Sequence, residues 1–343
     1  MRVRDRVVAE TLLATLLVGP STRLAASPGT MGADATAVAA SAQPPSPAGD
    51  CRVSDLMPDF WAFWEAARDA SSDEQVRLFE QMLRRPHAEV YDGVLRSLPI
   101  GPAELVPRAI AGMRPVEATV RSLAGQLAAE LPRQLALFRQ SFPDFRCAIP
   151  VYFLFAAGAF DGATRRVGGQ TALLFGLDVI AQIHGEQFSP LVVHELFHVH
   201  HDAVVPAAPE KLYWAVWKEG LATYVSRELN PGLAEEKICC LPDLPAVNAV
   251  LPSLAADLLS RLDSERPEDY ARYLLGGTAD IPARSGYALG YRIARQLGRD
   301  RSLAELARLP PEVVRPLLET ALREMREPGH GIGSPAWNGS PTR

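Results

Sequence analysis

The chain has 343 residues, 48% of them hydrophobic and 22% charged, and carries a formal net charge of -5. That is enough apolar material for a sizeable core in one or two domains. The balance is weakly acidic and the arginines are spread along the chain, which excludes the basic field that a nucleic-acid partner requires.

Residues 1–26 read as a signal peptide, with Arg2, Arg4 and Arg6 ahead of an uncharged apolar run from Thr11 to Gly19. The run is too short to anchor stably in a bilayer, so the protein is expected to be exported, periplasmic or secreted, with no membrane span in its mature form. Residues 27–50 are Ala, Ser, Pro and Gly with few bulky side chains, the composition of a flexible linker. An N-terminal helical region is expected over 51–145, with apolar residues at three- and four-residue steps in Asp59–Ala70, Asp73–Leu83 and Val116–Phe138. Trp61 and Trp64, at i and i+3, read as core.

The pattern then turns β-like. Ala148–Ala156 and Gln170–Leu177 are short apolar runs on either side of a Gly- and Arg-containing loop from Gly158 to Gly169, which suggests a hairpin or a small sheet. Phe188–Asp202 is a helix with Ser189-Pro190 as cap and first-turn proline, and Lys211–Leu229 is another. Helical stretches at Ala246–Leu262, Pro267–Leu275, Gly286–Leu297, Leu303–Leu309 and Pro311–Met325 form a C-terminal lobe, and 326–343 is a Gly-, Pro- and Ser-rich tail expected to be disordered. The fold class is therefore α+β and predominantly helical. The four cysteines, Cys51, Cys147, Cys239 and Cys240, permit three full pairings, and the sequence does not choose among them.

The chemistry is concentrated in His194-Glu195-Leu196-Phe197-His198. On a helix, histidines four apart share a face, so both imidazoles reach one Zn2+ at about 2.0 to 2.1 Å while Glu195 leans over the same ion. A shuffled chain of this composition shows the string on the order of once in a hundred tries, so a second signal is needed. A catalytic zinc takes three protein ligands and one open position. Glu219, the one carboxylate in mid-pattern of the Lys211–Leu229 helix, stands among Trp, Val, Leu and Ala, where an unpaired carboxylate is costly and a metal removes the cost. Gly220 and Ala222 leave room for a close neighbouring helix. His201 and Asp202, at i+7 and i+8, lie near the ligand face, where either could orient an imidazole, but both are expected to be solvated; His200 adds nothing by itself.

His-Glu-x-x-His followed about twenty residues later by Trp217-Lys218-Glu219-Gly220-Leu221-Ala222 resembles the gluzincin clan of zinc peptidases, in particular a bacterial group of zinc-dependent proteases without a known substrate. The resemblance covers roughly Ile149–Leu297. It implies a thermolysin-like catalytic core, a small sheet ahead of the metal helix, His194, His198 and Glu219 as ligands of one Zn2+, and Glu195 as general base. Tyr287-Ala-Leu-Gly290 is similar to the clan's Tyr-x-x-Gly element, which makes Tyr287 the candidate to stabilise an oxyanion; Tyr291, one turn on, is the alternative. Lys218 stands where aminopeptidase N-like members carry Asn, and their Gly-Ala-Met-Glu-Asn strand is missing. The clan aligns extended peptide on a sheet edge, here expected at Gln170–Leu174. The implied activity is hydrolysis of peptide bonds in peptide or protein substrates.

Other constellations fail. The di-iron motif Glu-x-x-His recurs only at Glu327–His330, which contains Pro328 and Gly329 and cannot be a helix. No Gly-rich phosphate loop and no Gly-x-Ser-x-Gly elbow occurs. The rivals are a zinc amidase or esterase on the same scaffold and a non-catalytic zinc-binding protein.

Overall fold

Two apolar runs organise the fold. β2 (Pro150–Leu154) and β4 (Gln170–Gly176) pair in parallel, Val151 opposite Leu173 and Phe153 opposite Phe175, and bury Val151, Phe153, Leu173, Leu174 and Phe175. Strands covered on both faces read as continuous hydrophobic runs, which is why these two are visible in the sequence. The computed structural model describes residues 51–327 apart from 97, 99, 207, 239, 242 and 243. The expected signal peptide, the linker and the tail beyond 327 lie outside the described residues.

The sheet has four strands in the order β1-β2-β4-β3. β1 (Arg52–Asp55) pairs in parallel with β2, inside a region expected to be helical throughout; all four of its side chains are exposed, so it lacks an apolar signature. β3 (Gly162–Val167) pairs antiparallel with β4, and it lies within the segment expected to be a loop. This corrects the expected edge: Gln170–Leu174 belongs to an interior strand, and the edge beside the helix that carries His194 and His198 is β3. Edge strands carry charge and lack a buried face, and β3, with Thr164, Arg165 and Arg166, reads as polar loop for that reason.

Gly168 and Gly169, both at positive φ (54° and 80°), form the two-residue turn between β3 and β4. Such a turn suits the right-handed twist of the flanking strands and fixes their register. Because the Gly176 amide donates to the Asp161 carbonyl, and antiparallel pairs alternate, the backbone groups of Asp161, Ala163 and Arg165 face β4. Those of Gly162, Thr164 and Arg166 face away from β4, the Arg166 carbonyl toward Gly93.

Before the sheet's second strand come α1 (Met57–Ala67), α2 (Ser72–Phe79, continued by a π turn over Glu80–Arg84), α3 (Ala88–Arg96), α4 (Pro102–Met113) and α5 (Glu117–Ser141). Ser71 caps α2 by accepting the Glu74 amide. Phe60 stacks on Phe155 at 4.6 Å between ring centres, and Trp64 is buried beside them, so the N-terminal helices and the sheet share one core. Cys51 is bonded to Cys147 across 96 residues, tying the start of β1 to the approach to β2.

After the sheet come α6 (Leu177–Ile183), α7 (Ser189–Val204), α8 (Leu212–Leu229), α9 (Leu244–Ala249), α10 (Leu251–Leu259), α11 (Pro267–Leu274), α12 (Ser285–Leu297), α13 (Leu303–Ala307) and α14 (Pro311–Met325). The expected helix Ala246–Leu262 is two helices, with Val250 as the N-cap of the second and a proline in its first turn. Ser189 is not a cap either: Phe188 holds that position, and the Ser189 hydroxyl donates to Glu130 on α5. α7 and α8 are buried almost all round. The closest helix pair is α8 against α12. A Cβ on Gly220 would collide with the Gly290 backbone, and one on Gly290 with the Val216 carbonyl, so the two glycines set how near the helices lie.

Candidate metal centre

α7 presents His194 and His198 one turn apart, with ring centres 4.6 Å apart and planes at 85°. Their Nε2 atoms converge to 3.0 Å, and Oε2 of Glu219, from α8, lies 3.3 Å from the first and 3.1 Å from the second. All three side chains are buried. Ligands at about 2.0 to 2.1 Å around a tetrahedral ion stand roughly 3.3 to 3.4 Å from one another, so the triangle has the size of three zinc ligands. Two imidazole nitrogens and a carboxylate oxygen, all lone-pair donors to a metal, gather at one buried point, and that crowding favours a cation. The residues present therefore fit a metal ion.

Glu195 is buried too, and offers a carboxylate oxygen within 4.8 Å of both imidazoles. The two carboxylates differ in position: Glu219 stands at ligand spacing, and Glu195 belongs to the same helix as the histidines. Glu195 runs directly along the start of β3. A Cβ on Gly162 would lie 2.6 Å from its Cγ and 2.8 Å from its Oε1, so only glycine leaves room for that carboxylate.

Tyr287 and Tyr291 separate clearly. The Tyr287 ring stacks beside His194 at 6.2 Å between centres and 26° between planes, and the side chain is half-buried. Tyr291 points elsewhere, with its hydroxyl donating to Glu235 at 2.5 Å and its ring against Tyr224. Residues four apart share a face only roughly, and the tight α8–α12 crossing turns one of the two toward the histidines.

His200 and His201 are both buried, which for His201 is contrary to its expected solvation. His200 sits among Phe138, Phe142 and Phe145, and His201 stacks on Trp214 at 5.3 Å. Burial, together with the nearby charge of Lys218, pushes the His201 pKa down to about 3, so its imidazole stays neutral and acts as an aromatic filler. Lys218 is paired with Asp202, which ties α8 to the last turns of α7. Arg292 donates to Asn248, and burial pushes its pKa down to about 10.

Asp161 and His184 were not read from the sequence, which also leaves Arg284 unplaced. Asp161, immediately before Gly162, accepts the Gly162 amide with Oδ1 (2.8 Å) and contacts His184 Nε2 with Oδ2 (2.8 Å). Burial raises its carboxyl, but the His184 hydrogen bond and charge, the positive charge of Arg284 and the Gly162 amide outweigh it and hold the carboxyl below the usual range. Arg284 is the N-cap of α12, in the left-handed region at φ 57° and ψ 19°. These residues carry no spacing signal, because the sheet and α12 bring them together from distant parts of the chain.

No family model, no curated protein and no solved structure matches this chain. Among the described residues, no helix is long and apolar enough to cross a membrane.

Proposed function

We propose that the protein is an exported zinc peptidase of gluzincin type, with a thermolysin-like catalytic core, in which His194, His198 and Glu219 hold one zinc ion and Glu195 is the general base. The observation that carries the reading is the triangle of Nε2, Nε2 and Oε2 atoms 3.0 to 3.3 Å apart, with a second buried carboxylate beside it. Bound there, zinc supplies Lewis acidity toward a carbonyl and lowers the pKa of water toward about 7.

The chain's own residues do the rest. Glu195 takes the proton of the attacking water and returns it to the leaving amine, a role helped by its burial at the mouth of β3. Tyr287, beside His194, donates its hydroxyl to the oxygen that gains charge as the carbonyl is attacked. The edge of β3 facing away from β4 offers the Gly162 carbonyl and the Thr164 amide and carbonyl to an extended peptide as an additional antiparallel strand. Main-chain pairing of this kind favours peptide over a small ester. The Cys51–Cys147 disulfide supports an oxidising, exported location.

The test begins with elemental analysis of purified protein. One zinc per chain is expected, retained by Glu195→Gln and lost or sharply weakened in His198→Ala and Glu219→Ala. Glu195→Gln should lower peptide turnover by about 10² to 10⁴-fold or more. A wild type that binds no zinc overturns the metal reading. A Glu195→Gln protein with full turnover overturns the base, and zinc without turnover on any peptide leaves the rival hydrolase or zinc-binding protein.

A further inference from the structure

If a peptide lies along β3 as proposed above, its direction follows. β3 runs from Gly162 to Val167, so an antiparallel chain enters at the Val167 end and leaves past Gly162. Glu195 touches Gly162, so the bond to be cut lies near that end, and the residues after it continue past Asp161. Arg284 begins α12 one turn before Tyr287, the residue stacked beside His194, and its positive charge acts on the Asp161 carboxyl.

Arg284 has the marks of a side chain held for a purpose other than packing. Its backbone lies in the left-handed region, which is unfavourable for a non-glycine residue and persists where the surroundings impose it. The amide of Arg284 is tied to the Leu275 carbonyl and its own carbonyl accepts the Tyr287 amide, so the conformation is fixed from both sides. Its guanidinium makes no hydrogen bond or ion pair within 4 Å among the described residues, unlike Arg261, Arg272 and Arg315 in the same lobe, each of which pairs with a carboxylate. Asp161, whose carboxyl feels its charge, already has Oδ1 on the Gly162 amide and Oδ2 on His184. The five donors of Arg284 are thus left for something else.

We propose that Arg284 is a specificity-determining residue that binds a substrate carboxylate on the C-terminal side of the cleaved bond. A guanidinium matches a carboxylate with two parallel hydrogen bonds, so the ligand class follows from its chemistry. The carboxylate comes either from an acidic side chain or from a free C-terminus, and the two sources differ in what they imply: an endopeptidase selecting Asp or Glu, or a carboxypeptidase. This rests on the peptidase reading, and its test is built to fail separately from it.

The experiment is a calorimetric titration of zinc-loaded Glu195→Gln protein, which keeps the proposed ligands but lacks the base, with matched peptides. One pair differs by Glu against Gln in the C-terminal half, and the other by a free acid against an amide at the C-terminus. The acidic member of one pair should bind roughly tenfold or more tighter, the size of a charge-assisted hydrogen bond. Adding Arg284→Gln, which keeps the backbone conformation and removes the charge, should abolish that preference while leaving the affinity for the neutral members within about threefold. Arg284→Lys should restore part of it. The pair that shows the effect identifies the source. Equal binding of acidic and neutral members, or a preference that survives Arg284→Gln, overturns the proposal. A preference removed by Arg284→Gln in a protein whose wild type cleaves none of these peptides upholds the subsite and overturns the peptidase reading.

Discussion

Gly162 is the residue on which the geometry around Glu195 turns. A methyl group there would meet Cγ, the carboxyl carbon and Oε1 of Glu195 at 2.6 to 2.8 Å, distances that real contacts do not reach, so the glutamate must change rotamer. The metal triangle does not include Gly162, and the strand keeps its Asp161 and β4 hydrogen bonds whatever the side chain. If the protein is the zinc peptidase proposed above, Gly162→Ala is expected to keep its zinc and lose turnover by about 10²-fold, the cost of moving a catalytic group by about 1 Å. Elemental analysis alongside steady-state rates checks this. Full activity in the variant would mean that Glu195 is not held where the reaction needs it. The contrast between Gly162 and Glu219 explains what could be read without coordinates. Glu219 announces itself, because an acid inside an apolar helical pattern requires an explanation, whereas a glycine in a polar stretch looks like an ordinary loop residue.

At the scale of elements, the helices that carry the site were legible and the strand that shapes it was not. α7 and α8 follow their expected bounds within a few residues, since buried helices show continuous apolar faces and tightly spaced motif residues. β3 failed that test because it is an edge strand and its side chains are half-exposed. The sequence offered Tyr287 with Tyr291 as the alternative, and the ring that stands beside His194 is that of Tyr287. The loop between β2 and β3 is held by Asp178, in the first turn of α6. Asp178 accepts the amides of Ala156 (2.7 Å) and Gly158 (2.8 Å), and burial nonetheless pushes its pKa up to about 6. A folded-state pKa above the unfolded value of 3.8 means that the protonated form is favoured by folding. The contribution of Asp178 to stability is then greatest below about pH 4 and is lost as the pH rises through about 6. In metal-stripped protein, the stability of wild type minus that of Asp178→Asn is expected to fall between pH 4 and 7, by up to roughly 1.4 kcal/mol per pH unit, and to level off above it. Urea titrations at fixed pH values read this directly, and a difference independent of pH would show that the amides hold the carboxylate ionised.

Over the whole molecule, the sheet joins the two regions into which the sequence pattern divides the chain. The pattern of periodicities places an N-terminal helical region before residue 146, yet β1 lies at its start and pairs with β2 beyond its end. One disulfide then fixes that closure. Joining Cys51 to Cys147 removes a loop of about a hundred residues from the freedom of the unfolded chain, and a bond of that span stabilises by about 2 to 5 kcal/mol. Neither cysteine is near the metal triangle in sequence, and the triangle is built on α7 and α8, which pack against each other and against α5 and α12. Stability and metal binding should therefore separate. The double variant Cys51→Ser and Cys147→Ser is expected to unfold at a lower denaturant concentration, by an amount equal to those few kcal/mol, and to bind one zinc per chain as tightly as the wild type below its transition. Loss of zinc in a variant that still shows the wild-type far-ultraviolet dichroism would mean that the β1–β2 pairing reaches the metal helix through the sheet. That outcome would make the N-terminal segment part of the site and not only part of the fold.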